Sequence, residues 1–155
     1  SQAGKVAQSG WHTKISNINK NIETTWLSTQ ACVYRSNFIK EKIYFDISLG
    51  IYSYLEDLFF SFELSKQGKL TVCANATYTH PNEIIRSNFK FGVKEMTNRF
   101  KFVKKNKLSI KKFYIAAFLK CIGNLNNIFS VKTNSIPKFL GKIAGIILCI
   151  TKQKK

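Results

Sequence analysis

The sequence predicts an α/β chain that mixes strand and helix as far as His80 and is helical beyond it. Two β-rich runs flank a segment whose apolar residues recur at helical spacing, and after Pro81 the apolar positions keep stepping by three and four. Charge divides at the same place. Residues 1–83 hold 8 Lys/Arg against 7 Asp/Glu, whereas residues 84–155 hold 17 against Glu95 alone. The 155 residues suffice for one compact domain with its own core. The expected division is therefore a mixed domain over 1–83 and a basic, amphipathic helical tail over 84–155.

Residues 1–25 are polar, rich in Ser, Asn and Lys, with Gly4 and Gly10 as turn points, and read as a loop. Trp26–Tyr34 mixes aromatic and β-branched residues with small ones, the composition of a short buried strand. Ser36 or Asn37 then caps a helix through Lys42. Leu55, Phe59 and Phe62, with Leu58 beside them, place a helix over 55–67, closed by Gly68. Lys69–Ala74 and Thr77–His80 read as two short strands, interrupted at Asn75 and stopped by Pro81.

Beyond Pro81, Phe89, Val93, Met96, Phe100 and Val103 draw one apolar stripe on a Lys-rich helix. Phe113, Ala117, Cys121 and Leu125 draw a second, and a third apolar run goes from Phe139 to Ile150, broken by Lys142. No uninterrupted run reaches the roughly 18 to 20 apolar residues of a spanning helix, so helices lying in a membrane interface are expected rather than a span. The chain starts at Ser1 and shows no signal-peptide pattern. Its four cysteines, Cys32, Cys73, Cys121 and Cys149, have neither zinc-site spacing nor the density of a disulfide framework, which fits a reducing cytosol. Asn75-Ala76-Thr77 matches the glycosylation acceptor pattern, which has meaning only in a secretory compartment.

One ordered constellation carries more information than any of these. Trp26-Leu27-Ser28 precedes Tyr34-Arg35; Phe45-Asp46 and Leu49-Gly50 follow; then come Tyr54-Leu55-Glu56-Asp57-Leu58-Phe59-Phe60, Gly68-Lys69-Leu70, and Ala76-Thr77-Tyr78-Thr79-His80. This order resembles the C-terminal, acceptor-side half of the catalytic domain in family 2 glycosyltransferases, which share the nucleotide-diphospho-sugar transferase (GT-A) fold. The resemblance is good over 26–80 and loose in the tail. It implies a partial GT-A-like fold, a nucleotide-sugar donor, a polysaccharide or lipid-linked acceptor, and inversion at the anomeric carbon.

The resemblance also implies roles for particular residues. Asp57 takes that of general base, because displacement at an anomeric carbon needs a group to receive the proton of the attacking hydroxyl. Glu56 binds the acceptor or orients the site; the plain alternative is that both acids complement the positive end of a helix dipole. His80 falls where some GT-A enzymes place a ligand for the divalent metal or the diphosphate, and is equally read as a strand-end histidine bonded to backbone. Trp26 is either a platform for an acceptor sugar or a core aromatic. Arg35 pairs either with a diphosphate or with a carboxylate such as Asp46.

The departures are as informative as the matches. Such an enzyme holds its nucleotide on an α/β half and its metal, Mg or Mn, on an Asp-x-Asp motif, yet Asp46 and Asp57 are the only aspartates of the chain. The metal is thus expected to sit mainly on a part not included here, and the chain by itself is expected not to transfer sugar. The basic tail points to an anionic membrane surface and to a peripheral, cytoplasmic location at the inner face. The competing reading is a non-catalytic basic module that binds anionic lipid or nucleic acid. Nucleic acid fits the charge, but no helix-turn-helix, zinc or base-stacking motif accompanies it.

Overall fold

The structure, a computed structural model, describes residues 2–37, 44–49, 54–79, 88–129 and 136–153, with side chains in the helix over 110–129 described as far as residue 123. The described residues form β1 (Ile22–Thr24), α1 (Glu56–Ser65), β2 (Leu70–Val72), α2 (Phe89–Lys105), α3 (Ile110–Phe129) and α4 (Ile136–Gln153). They fall into two compact units, one of residues 1–7 and 12–80, the other of residues 8–11 and 81–155.

In the first unit β1 pairs antiparallel with β2, in the register Ile22 with Val72, Glu23 with Thr71 and Thr24 with Leu70. A ribbon of two strands is marginal in water unless something covers a face. Here Leu70 joins Phe60 and Leu64 of α1 in a small core to which Leu27 and Tyr34 add cover. The Lys69–Glu23 ion pair across the ribbon is exposed at 3.5 Å and contributes little.

This corrects the expected α/β, GT-A-like fold. Among the described residues the architecture is four helices and one two-stranded antiparallel ribbon, with no parallel sheet between helical layers. The run Trp26–Tyr34 is not a buried strand. Thr29–Ala31 winds into a 3-10 turn, and Val33 is fully exposed, so the alternation a strand must bury is absent. β-branched composition was outweighed there by a thiol hydrogen bond within the turn and a hydroxyl hydrogen bond from it to α1. Cys32 Sγ donates to Ser28 O at 2.7 Å, and the Thr29 hydroxyl is held by a side chain of α1. Only Leu70–Val72 of the two later strands forms; Thr77–Thr79 is exposed and irregular, and His80 lies outside the described residues. Most of the helix expected over 36–42 lies outside them too.

The second unit is a helical packing built on α2. Asn88 starts it, its side chain accepting from Phe91 N at 2.7 Å, and Lys104 and Lys105 sit in the last turn, where cations favour the dipole. Met96, Phe100 and Val103 of the predicted stripe meet Phe113 and Ala117 of α3 and Cys149 of α4 in one core. Phe89, at the head of that stripe, is 46% exposed. α4 runs unusually close along α2. A Cβ at Gly92 would collide with Lys138 O, one at Gly141 with Phe89 O, and one at Gly145 would sit 2.8 Å from Met96 Cβ. All four cysteines are free, and burial pushes the Cys149 thiol up to about 11, so it packs as a neutral small hydrophobe.

The Phe139–Ile150 run is broken by Lys142 in the sequence, and the structure shows where that charge goes. Lys142, 3% exposed, reaches Glu95 of α2 at 3.5 Å, and Lys138 approaches the same carboxylate at 3.8 Å. Glu95→Leu should lower the stability of the protein by about 3–5 kcal/mol, because a buried ammonium loses its counter-charge. Glu95→Leu with Lys142→Met should recover most of the loss, as read by urea unfolding; equal losses in the single and double variants would show that the pairing is not what matters.

α2 ends in a Schellman motif: Lys107 N reaches Lys104 O at 3.2 Å, Leu108 N reaches Val103 O at 2.9 Å, and Lys107 sits at φ 52°. That position favours glycine. Lys107→Gly should raise stability by roughly 0.5–1 kcal/mol in the same unfolding measurement.

Candidate functional site

The Glu56-Asp57 pair opens α1, and the backbone there is unusual. The residue before it, Leu55, is buried in the left-handed region at φ 76°, a conformation that a branched, bulky residue seldom adopts. No side chain caps the helix, so the two acids are what answers the positive end of its dipole. Both are partly buried.

Asp57 is fixed from two directions. The Thr29 hydroxyl donates to its Oδ1, and its backbone carbonyl accepts from Ser61 Oγ at 2.5 Å. Ser61 is fully buried and also accepts from Leu27 N at 3.0 Å. One hydroxyl therefore ties the first turn of α1 to the segment that carries Thr29. That segment continues through Cys32 to Tyr34, whose ring meets Phe60 edge-on at 5.3 Å. Burial pushes the Tyr34 phenol well above its ordinary range, with the neighbouring Cys32 thiol and the negative charge of Asp57 adding to the effect. The result is a carboxylate held by a hydroxyl, with a partly buried phenol close enough to feel its charge.

The remaining predicted residues lie in other surroundings. Trp26 is partly buried, its Nε1 donates to Thr13 O at 2.9 Å, and its ring stands 4.1 Å from that of His12. Arg35 is exposed and, with Tyr34, Leu64 and Lys69, lines a shallow depression of about 180 Å³. This is smaller than the roughly 300–1,000 Å³ of a site for a whole cofactor-sized molecule. Asp46, the alternative partner for Arg35, accepts at Oδ1 from Ser48 N at 3.1 Å and from Ser48 Oγ at 2.6 Å. His80 is outside the described residues. Among the described residues no three His, Cys, Asp or Glu side chains come together as a metal site.

Thr29, Ser61 and Tyr34 carry no signal in the sequence that marks them as neighbours of Asp57. A strand over 26–34 would have sent alternate side chains to opposite faces, and the 3-10 turn that brings Thr29 to the carboxylate became visible only in three dimensions.

No protein-family model, no curated protein and no solved structure matches this chain.

Ser61→Ala should cost about 1–3 kcal/mol by leaving Leu27 N and Asp57 O without their shared hydroxyl. Thermal unfolding checks this. A change within about 0.5 kcal/mol, the range of an ordinary surface substitution, would mean that water replaces the hydroxyl and that Ser61 does not set the position of Asp57.

Proposed function

We propose that the chain is the acceptor-side part of an inverting glycosyltransferase, which moves a sugar from a UDP-, GDP- or dTDP-sugar to a polysaccharide or lipid-linked acceptor at the cytoplasmic face of a membrane. The reading rests on the side chains around Asp57 and no longer on the fold. Its main support is a carboxylate held at a helix N-terminus by a threonine hydroxyl, beside a left-handed Leu55, with the neighbouring Glu56 in the same turn. The ordered constellation from Trp26 to His80 is its support in the sequence.

The chemistry asked of Asp57 is a single proton transfer. As the acceptor hydroxyl oxygen bonds to the anomeric carbon, the bond from that carbon to the nucleotide diphosphate breaks, and the hydroxyl proton passes to the carboxylate. The diphosphate leaves with the bonding pair, and attack opposite the leaving group inverts the centre. Thr29, by occupying Oδ1, turns the second carboxylate oxygen toward this task. Glu56 binds an acceptor hydroxyl, and Arg35 and Lys69 face the exposed depression as cations for phosphate oxygens.

Transfer assayed on the protein in its full genetic length tests this. Asp57→Asn should lower kcat about 10²- to 10⁴-fold with little change in KM for the donor, since the lost interaction operates only during reaction. Glu56→Gln should act mainly on KM for the acceptor. Wild-type turnover in Asp57→Asn would reduce the pair to a helix-dipole role and end the catalytic reading.

A further inference from the structure

α3 and α4 are apolar on two sides. On α4, Gly141, Lys142, Gly145 and Cys149 are buried against the unit, and Ile136, Leu140, Ile143, Ile147 and Ile150 are between 39% and 55% exposed. The exposed set steps by four, three, four and three, so it is one stripe on the helix side opposite the packed one, about 21 Å long at 1.5 Å per residue. On α3, Ile115, Phe118, Leu119 and Ile122 are 40% to 65% exposed, opposite buried Phe113, Ala117 and Cys121. A helix that is apolar all round is normally covered on both sides.

The charge around these stripes identifies the cover. Residues 84–155 hold 17 Lys/Arg and one acid, Glu95, whose carboxylate is turned inward to Lys142 and Lys138. Lys111, Lys112 and Lys120 are exposed on α3 itself, and Lys101, Lys104, Lys105 and Lys107 are exposed at the end of α2. A second copy of the chain would bring the same excess of lysine against itself. Nucleic acid would answer the lysines but leave most of the two stripes in water, since Phe118 alone among their residues offers a stacking platform. The interface of an anionic bilayer answers both, with acyl chains for the stripes and phosphate headgroups for the lysines. Among the described residues no helix is long and apolar enough to cross a membrane, so the match is to a helix lying in the interface.

We infer that the outward faces of α3 and α4 form a docking surface for an anionic phospholipid bilayer, with Leu140 and Ile147 inserted at the level of the headgroups. The inference does not depend on the catalytic reading of Asp57.

Flotation of the purified chain with vesicles tests it. The chain should float with vesicles of phosphatidylglycerol and phosphatidylcholine, and should do so poorly with phosphatidylcholine alone. Leu140→Gln with Ile147→Gln, both exposed and so without effect on the circular dichroism spectrum, should weaken binding about tenfold or more. Lys111→Gln with Lys112→Gln should weaken it by a similar factor at low salt and much less at high salt. Failure of the wild-type chain to float with the anionic vesicles would overturn the inference, as would unchanged binding by the Leu140/Ile147 variant. So would dimerisation in analytical ultracentrifugation that this variant abolishes.

Discussion

Two helices can approach as closely as α2 and α4 do only where neither presents a side chain at the crossing, and Gly92, Gly141 and Gly145 supply that condition. Much else in the second unit follows from the approach. It brings Cys149 Sγ to 3.9 Å from Met96 O and leaves the cysteine 1% exposed beside a methionine with no exposure at all. It also buries Lys142, which could not be tolerated there without Glu95 on the facing helix. Three glycines and one carboxylate therefore act together. The glycines remove the steric obstacle, and Glu95 removes the electrostatic one.

The same unit recruits a short segment from far along the chain. Gly10, at φ 81°, lies against Val103 and Phe102, and its carbonyl accepts from Arg99 Nη1 at 2.5 Å. Trp11 stacks on Phe113 at 5.6 Å and lies 4.7 Å under the Arg99 guanidinium, while Ser109 N donates to Gln8 O at 2.9 Å. Arg99, 2% exposed, is thus held by a carbonyl and an aromatic face, which together replace much of the hydration a guanidinium loses on burial. Local contacts would have allowed the helices to pack in several ways around the Phe100–Phe113 contact. A tryptophan wedged between Arg99 and Phe113 favours one of them, although it lies far from both in sequence, because the entropy cost of closing a long chain segment grows only slowly with its length.

The helices were legible in the sequence because each is long and strongly periodic, and their stripes predicted Met96, Phe100, Val103, Phe113 and Ala117 as core. The strands were not. β1 lies in a polar stretch with no apolar alternation, and it is specified by partners far away in sequence: Leu70–Val72 across the ladder and Asn21 Oδ1, which accepts from Ala74 N at 2.9 Å. Trp26–Tyr34 had the composition of a strand, but the Cys32 thiol bonds the backbone of the turn and the Thr29 hydroxyl is drawn to a carboxylate 28 residues away. Asp57 was singled out by the ordered residues around it from Trp26 to His80, since an acidic pair at a helix start by itself only complements the dipole. Thr29, Tyr34 and Ser61 could not be, since a hydroxyl that serves a carboxylate looks in sequence like any other hydroxyl.

Lys142 and the outward stripe of α4 show how one helix can be read wrongly from average hydropathy. Taken as a run, Phe139–Ile150 is an apolar segment spoiled by a lysine. Taken by faces, the lysine is on the side that packs, with Ile146, whereas Ile143, Ile147 and Ile150 are on the side that does not, the reverse for Lys142 of the order that burial alone would impose. The charge goes inward because Glu95 is there to meet it, and the outward face is left almost wholly apolar. A helix built only to complete a water-facing bundle would gain nothing from that arrangement, since exposed isoleucine contributes neither packing nor solubility. The inversion is intelligible if both faces of α4 have a partner: Glu95 and the three-glycine crossing on one side, and on the other a medium that is apolar within and anionic at its surface.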